Sequence, residues 1–140
     1  MKTLVIAFVL GVLVLAAAAC GSKGPTDTGK VIKSAPVGNN LNATLSNSNG
    51  AIKHGDDEFL LTFKDSSGKP VEVGAVALTF QMPPMGTMPV MNNTATFTTT
   101  GTPGVYQAKV KLESAGDWQT QLSYEGSAGK GKTSFTVTAQ

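Results

Sequence analysis

The sequence has no arginine, one cysteine and one histidine, and each shortage removes a class of function. Arginine is the usual fork for phosphates and base edges. Its absence makes all 11 basic residues lysines, scattered along the chain and set against 9 acids. That leaves no electrostatic footprint for a nucleic-acid partner. The lone cysteine, Cys20, cannot close an internal disulfide. The lone histidine, His54, is the one side chain on which a Ser-His-Asp or Cys-His system could be built, and no nucleophile-elbow glycine pattern is present. It also excludes a histidine-rich zinc or type-2 copper site made by this chain alone. A non-catalytic protein is expected. Helical periodicity is missing as well, and no apolar run reaches the roughly 20 residues of a membrane-spanning helix.

The longest apolar run lies at the N-terminus. Lys2 supplies a charged start, Leu4 to Leu15 an apolar stretch, and Ala16 to Ala19 a run of small residues ahead of Cys20. Residues 1–19 therefore read as a lipoprotein signal peptide, with Cys20 as the lipidated first residue of the mature chain. Ala17 departs from the pattern, because a lipobox prefers leucine there; the alternative is a free thiol left by ordinary cleavage nearby. Attachment to a membrane would then come from the lipid anchor and not from a basic face. The protein would be exported and would face the periplasm or the cell exterior. Residues 20–40 are polar and rich in Gly, Pro and Ser, and are expected to form a flexible tether with a reach of about 25 Å.

From residue 41 to 140 the pattern becomes short alternating segments separated by turn residues. Leu41, Ala43 and Leu45 form one such segment, and Phe59, Leu61 and Phe63 a second. Val76, Leu78 and Phe80 form a third, with Met82 continuing its face. Residues 94–100 give a fourth, Tyr106 to Leu112 a fifth, Trp118 to Tyr124 a sixth, and Phe135 to Ala139 a seventh. Seven evenly spaced strands predict an all-β, antiparallel immunoglobulin-like sandwich. Tyr106, Val110, Leu112, Leu122, Phe80 and Phe135 are expected to share its core.

Four of the five methionines fall in one segment, Met82-Pro83-Pro84-Met85-Gly86-Thr87-Met88-Pro89-Val90-Met91, at a constant spacing of three. Its prolines prevent a helix or a regular sheet ladder from running through it. Methionine normally fills gaps in cores, whereas here it is concentrated in one loop. Thioether sulfur is a soft, uncharged ligand suited to Cu(I), and to the similar Ag(I). Met85, Met88 and Met91 are the primary ligand candidates, with Met82 ranked behind them because it continues a core face. The plain alternative is that the loop folds back and its sulfurs cap the domain. Alternating strand direction should bring the first, third and fifth loops to one end. This would gather His54, the methionines and Trp118, making His54 a candidate nitrogen ligand. Trp118 is either a core residue or a rim residue whose π-face neighbours the cation. The acids of His54-Gly55-Asp56-Asp57-Glu58 lack calcium-loop spacing and read as a solvated turn.

Asp65-x-x-Gly68-Lys69-Pro70-Val71, Pro103-Gly104-Val105-Tyr106, Gly116-Asp117-Trp118 and the Met-Pro loop together resemble the YtkA-like family over about residues 55–138. Members are small exported β-sandwich domains, found alone in lipoproteins or fused to metal-efflux components. The resemblance implies copper handling at the methionine loop and a metal-efflux or metalloprotein-assembly partner. Two other roles fit the same loop. It could be an adaptable apolar surface that docks a partner protein, or a sacrificial oxidant trap.

Overall fold

The alternating segments form nine antiparallel strands in the computed structural model, which describes residues 29–140. Cys20 and the expected signal peptide lie outside the described residues. The strands are β1 (Lys30–Gly38), β2 (Leu41–Asn47), β3 (Gly55–Lys64), β4 (Ala75–Met82), β5 (Met91–Thr94), β6 (Thr96–Thr99), β7 (Val105–Leu112), β8 (Gly116–Gly126) and β9 (Gly129–Ala139). They pair into two sheets, ordered β1-β2-β3-β7-β6 and β5-β4-β8-β9. The apolar faces of both close on one core, giving a β-sandwich.

Nine strands replace the expected seven for two local reasons. The stretch expected to be tether as far as residue 40 contains β1, which pairs with β2 from Lys30–Asn47 to Gly38–Leu41. Ala35 and Val37 of β1 are buried, while Lys30, Lys33 and Pro36 are exposed. Charge and proline protect a sheet edge from further pairing, and the same residues make the strand look like a linker. The single strand expected over 94–100 is divided. β5 pairs with β4, and the chain then crosses to the other sheet at Ala95, so that β6 pairs with β7. Ala95 is buried at the crossing and its N–H donates to the Leu78 carbonyl at 2.9 Å.

The core itself follows the alternation. Leu41, Ala43, Leu45, Phe59, Leu61, Phe63, Leu78, Phe80, Leu112, Leu122 and Tyr124 are all buried. Phe59 and Phe80 meet edge-on across the two sheets at 6.3 Å, as do Phe63 and Tyr124 at 5.6 Å. Such pairs add to the burial of their surface. Phe135 was expected inside the core and is instead half-buried at its margin.

The two ends of the sandwich are built differently. At one end lie the β2–β3 loop (48–54), the β4–β5 connection (83–90), the β7–β8 loop (113–115) and Gln140. Gly55 opposes Leu112, Gly116 opposes Ala139, and Ile52 bridges Ala139. The expected sharing of one end by these loops therefore holds. Dividing one strand and adding one at the front leaves the alternation of direction between them unchanged. At the opposite end the Tyr106 hydroxyl donates to Glu72 Oε1, and the Gly104 N–H donates to Glu72 Oε2 at 3.3 Å. Gly104 takes a φ of 78°, and a Cβ there would meet the Val71 backbone at 2.6 Å, so only glycine lets these segments close.

Candidate metal centre

The methionine segment is a hairpin, and its prolines interrupt the ladder without changing its register. Thr79–Thr94, Phe80–Asn93, Gln81–Asn92 and Met82–Met91 are successive partners on β4 and β5. Beyond the prolines the same register resumes at an isolated bridge between Met85 and Met88. There Met88 N–H donates to the Met85 carbonyl at 2.9 Å, and Met85 N–H donates to the Met88 carbonyl at 3.2 Å. Gly86 turns the chain with a φ of 58°, and Thr87 is not among the positive-φ residues. This is the arrangement of a two-residue II′ turn, with glycine at its first central position.

The constant spacing of three thus becomes two nested cross-strand pairs. Met85 and Met88 exchange both backbone bonds, so their side chains leave the same face of the ribbon, with Cβ atoms about 5 Å apart. They are 55% and 43% exposed. The inner pair behaves differently. Met82 is 1% exposed and belongs to the core, with its Cε 3.2 Å from where a Cβ on Gly116 would stand. Met91 is half-buried and packs against the same core. Met82 is therefore a core side chain, in correction of its place among the candidate ligands: it continues the Leu78–Phe80 face, whose alternation carries it inward. The expected trio Met85, Met88 and Met91 is not one cluster either. Two of its sulfurs are presented at the tip and the third is lodged at the base.

His54 is exposed at the same end, and its Nδ1 lies 2.8 Å from the main-chain oxygen of Gln140. That oxygen can only accept, so Nδ1 carries the proton and Nε2 of the neutral ring carries the lone pair. This is the tautomer that second-shell carbonyls impose on ligating histidines. Gln140 continues β9, whereas the hairpin rises from β4 and β5, and β8 runs between. The two lines are two strand spacings apart, about 10 Å. Shared loops bring His54 to the correct end but leave it across the sheet from the sulfur pair.

Trp118 is fully buried, and its Nε1–H donates to the Ser114 carbonyl at 3.0 Å. It is a core tryptophan with its polar atom satisfied, which corrects the rim, cation-π alternative. The last β4–β8 pair is Gln81–Gln119, so Trp118 underlies the base of the hairpin beside Met82. Two of the neighbouring acids are engaged, and the third stands on an exposed sheet position. Asp56 opposes Lys111, Glu58 accepts from Lys109 Nζ at 2.9 Å, and Asp57 accepts the Lys53 N–H at 2.8 Å. Among the described residues no three His, Cys, Asp or Glu side chains converge as a metal-holding group. The soft sulfur pair is a donor set of a different kind.

Two features of this site escaped the sequence reading. One is the nested pairing, which was visible as the symmetry of the segment about Gly86-Thr87, with methionines at equal distances on either side. The other is the electrostatic blankness around it: from Val73 to Ala108 there is no Lys, Arg, His, Asp or Glu. The hairpin, both edge strands β5 and β6, and the approach to them carry no formal charge.

The fold and this end define a two-sheet β-sandwich domain that presents a paired-methionine hairpin on a charge-free stretch of chain. The chain belongs to the YtkA-like family, whose model matches residues 37–123, from the end of β1 through most of β8 and across the whole hairpin. No curated protein and no solved structure matches the chain.

Proposed function

We propose that this protein is an extracytoplasmic, lipid-anchored, non-catalytic binder of Cu(I), or of Ag(I), which holds the ion at the hairpin tip. The observation that carries the reading is the exposed cross-strand pair Met85–Met88. Two neutral thioethers held on one face of a turn, with no carboxylate in the surrounding sequence, favour a soft monovalent ion over a hard divalent one. Met91, three residues from Met88, faces the core beside Met82, so it joins as a third sulfur only if the base of the hairpin twists. Met82 supports the base from within the core. His54 is secondary: its Nε2 lone pair suits a metal, and it can join only when the hairpin leans across β8. Because thioethers need no deprotonation, binding at the pair persists in mild acid. Such a protein would carry copper to, or withhold it from, a metal-efflux or metalloprotein-assembly component.

A second reading has an observation of its own. Val90 is 46% exposed beside the two methionines, and an apolar tip of this kind suits docking onto a partner protein. Alkylation separates the two. Under the copper reading, Cu(I) shields Met85 and Met88 from an alkylating reagent in the isolated protein, measured by peptide mass spectrometry. Equal modification with and without Cu(I) would favour docking instead.

A further inference from the structure

The place where the chain enters the sandwich gives the hairpin a direction. β1 begins at Lys30 opposite Asn47, and a Cβ on Gly29 would stand 2.8 Å from the Asn47 carbonyl oxygen. Asn47 opens the β2–β3 loop, at the same end as the hairpin. The chain therefore enters β1 at the hairpin end and not at the Glu72–Tyr106 end. From Cys20, the chain of residues 21–29 spans at most about 30 Å when fully extended. The sandwich is longer than that: β8, Gly116–Gly126, alone runs about 37 Å.

Exposed apolar surface has the same bias. Val31, Met85, Met88 and Val90 are the exposed large hydrophobics of the described residues. Three are at the hairpin tip and Val31 is the second residue of β1, so all four lie at the end where the chain enters. Charge at this end is mixed, with Lys30, Lys53, Asp56 and Glu113 all exposed, so the apolar residues and the chain entry carry the orientation rather than a basic face. Asp57 and Asp117 are engaged by neighbours, Asp57 with the Lys53 N–H and Asp117 with the Thr138 hydroxyl at 2.6 Å.

We infer that the hairpin end faces the bilayer that holds the anchor, with Met85, Met88 and Val90 resting against the lipid interface. This builds on the anchored reading of Cys20 and does not depend on copper. It makes the lipid surface the resting partner of the metal site, so that an ion is taken or released next to the membrane. Apolar tips at an interface gain from burying modest area while an anchor keeps them local.

Depth-resolved fluorescence on the full-length processed protein tests this. Thr87→Cys places a polarity-sensitive dye at the tip, and Ser66→Cys places one in the turn at the opposite end; both positions are exposed. Each protein is reconstituted in phosphatidylethanolamine–phosphatidylglycerol vesicles, with and without brominated acyl chains. The label at 87 is expected to shift to the blue and lose most of its emission to the brominated lipid, while the label at 66 keeps its emission. Equal quenching at both positions, or none at 87, overturns the orientation. Intact mass showing unacylated Cys20, with the protein failing to float with vesicles, removes the anchor and the inference with it. That last result leaves the copper reading standing, since Cu(I) binding is measured without vesicles.

Discussion

Tyr106 shows how a single side chain closes the end of the sandwich away from the hairpin. Its ring is buried against Phe63 and Phe97, and its hydroxyl reaches the Glu72 carboxylate. Burial, and then the bond to Glu72, push the phenol up from 10.0 to about 12. The Tyr106 hydroxyl, with backbone donors behind it, holds the Glu72 carboxyl below its ordinary value. The two shifts fix opposite limits of pH. Below pH 10 the phenol is protonated both folded and unfolded, so its contribution is complete. Between pH 10 and about 12 the unfolded chain gives up its proton first, and stability falls as pH rises. The Glu72 contribution is complete above the ordinary carboxylate range and is lost as pH falls through the depressed folded value. Tyr106→Phe is expected to lower stability by about 1 kcal/mol at neutral pH, since Glu72 is largely exposed and the bond is screened. The difference from wild type should shrink toward pH 12, which denaturant midpoints across the alkaline range would reveal. A constant difference would mean that folding does not raise the phenol, by burial or by the carboxylate.

At the scale of elements, the hairpin depends on one backbone position. Gly86 holds a φ of 58° at the tip, and a β-branched residue resists that conformation. Gly86→Val should loosen the Met85–Met88 bridge and weaken Cu(I) binding. Residues 83–90 lie outside the core and are exposed, so the denaturant midpoint should stay nearly unchanged, within about 0.5 kcal/mol. Backbone amide exchange at Met85 and Met88 would report the loosening directly, and unchanged protection would show that the turn does not need glycine. This element also shows where sequence reading succeeds and where it stops. Strands with one wet face, such as Tyr106 to Leu112, announced themselves by strict alternation, because period two is what a half-buried sheet requires. β1 did not, since its edge position calls for the lysines and proline that imitate a linker. The β5–β6 crossing was hidden because a change of sheet at Ala95 keeps β-branched residues on both sides. Within the hairpin the concentration of methionines was legible, while their division into a tip pair and a base pair was not. That division is set by register, through Met82–Met91 and Met85–Met88, and spacing alone does not reveal register.

On the scale of the molecule, the two ends divide the work. One is locked by Tyr106, Glu72 and tightly packed glycines; the other gathers the hairpin, His54, the entry of the chain and the exposed apolar residues. The family assignment spans both, as its match runs from Val37 to Ser123. The central claim is that the tip pair is a soft-metal site, and leucine substitution addresses it because leucine keeps methionine's volume while removing sulfur. The direct measurement is a Cu(I) titration against a competing chelator, with wild type and the Met85→Leu/Met88→Leu variant side by side. The account predicts that the variant loses at least about tenfold in affinity, roughly 1.4 kcal/mol, with an unchanged unfolding midpoint. A variant that competes for Cu(I) as well as wild type would contradict it.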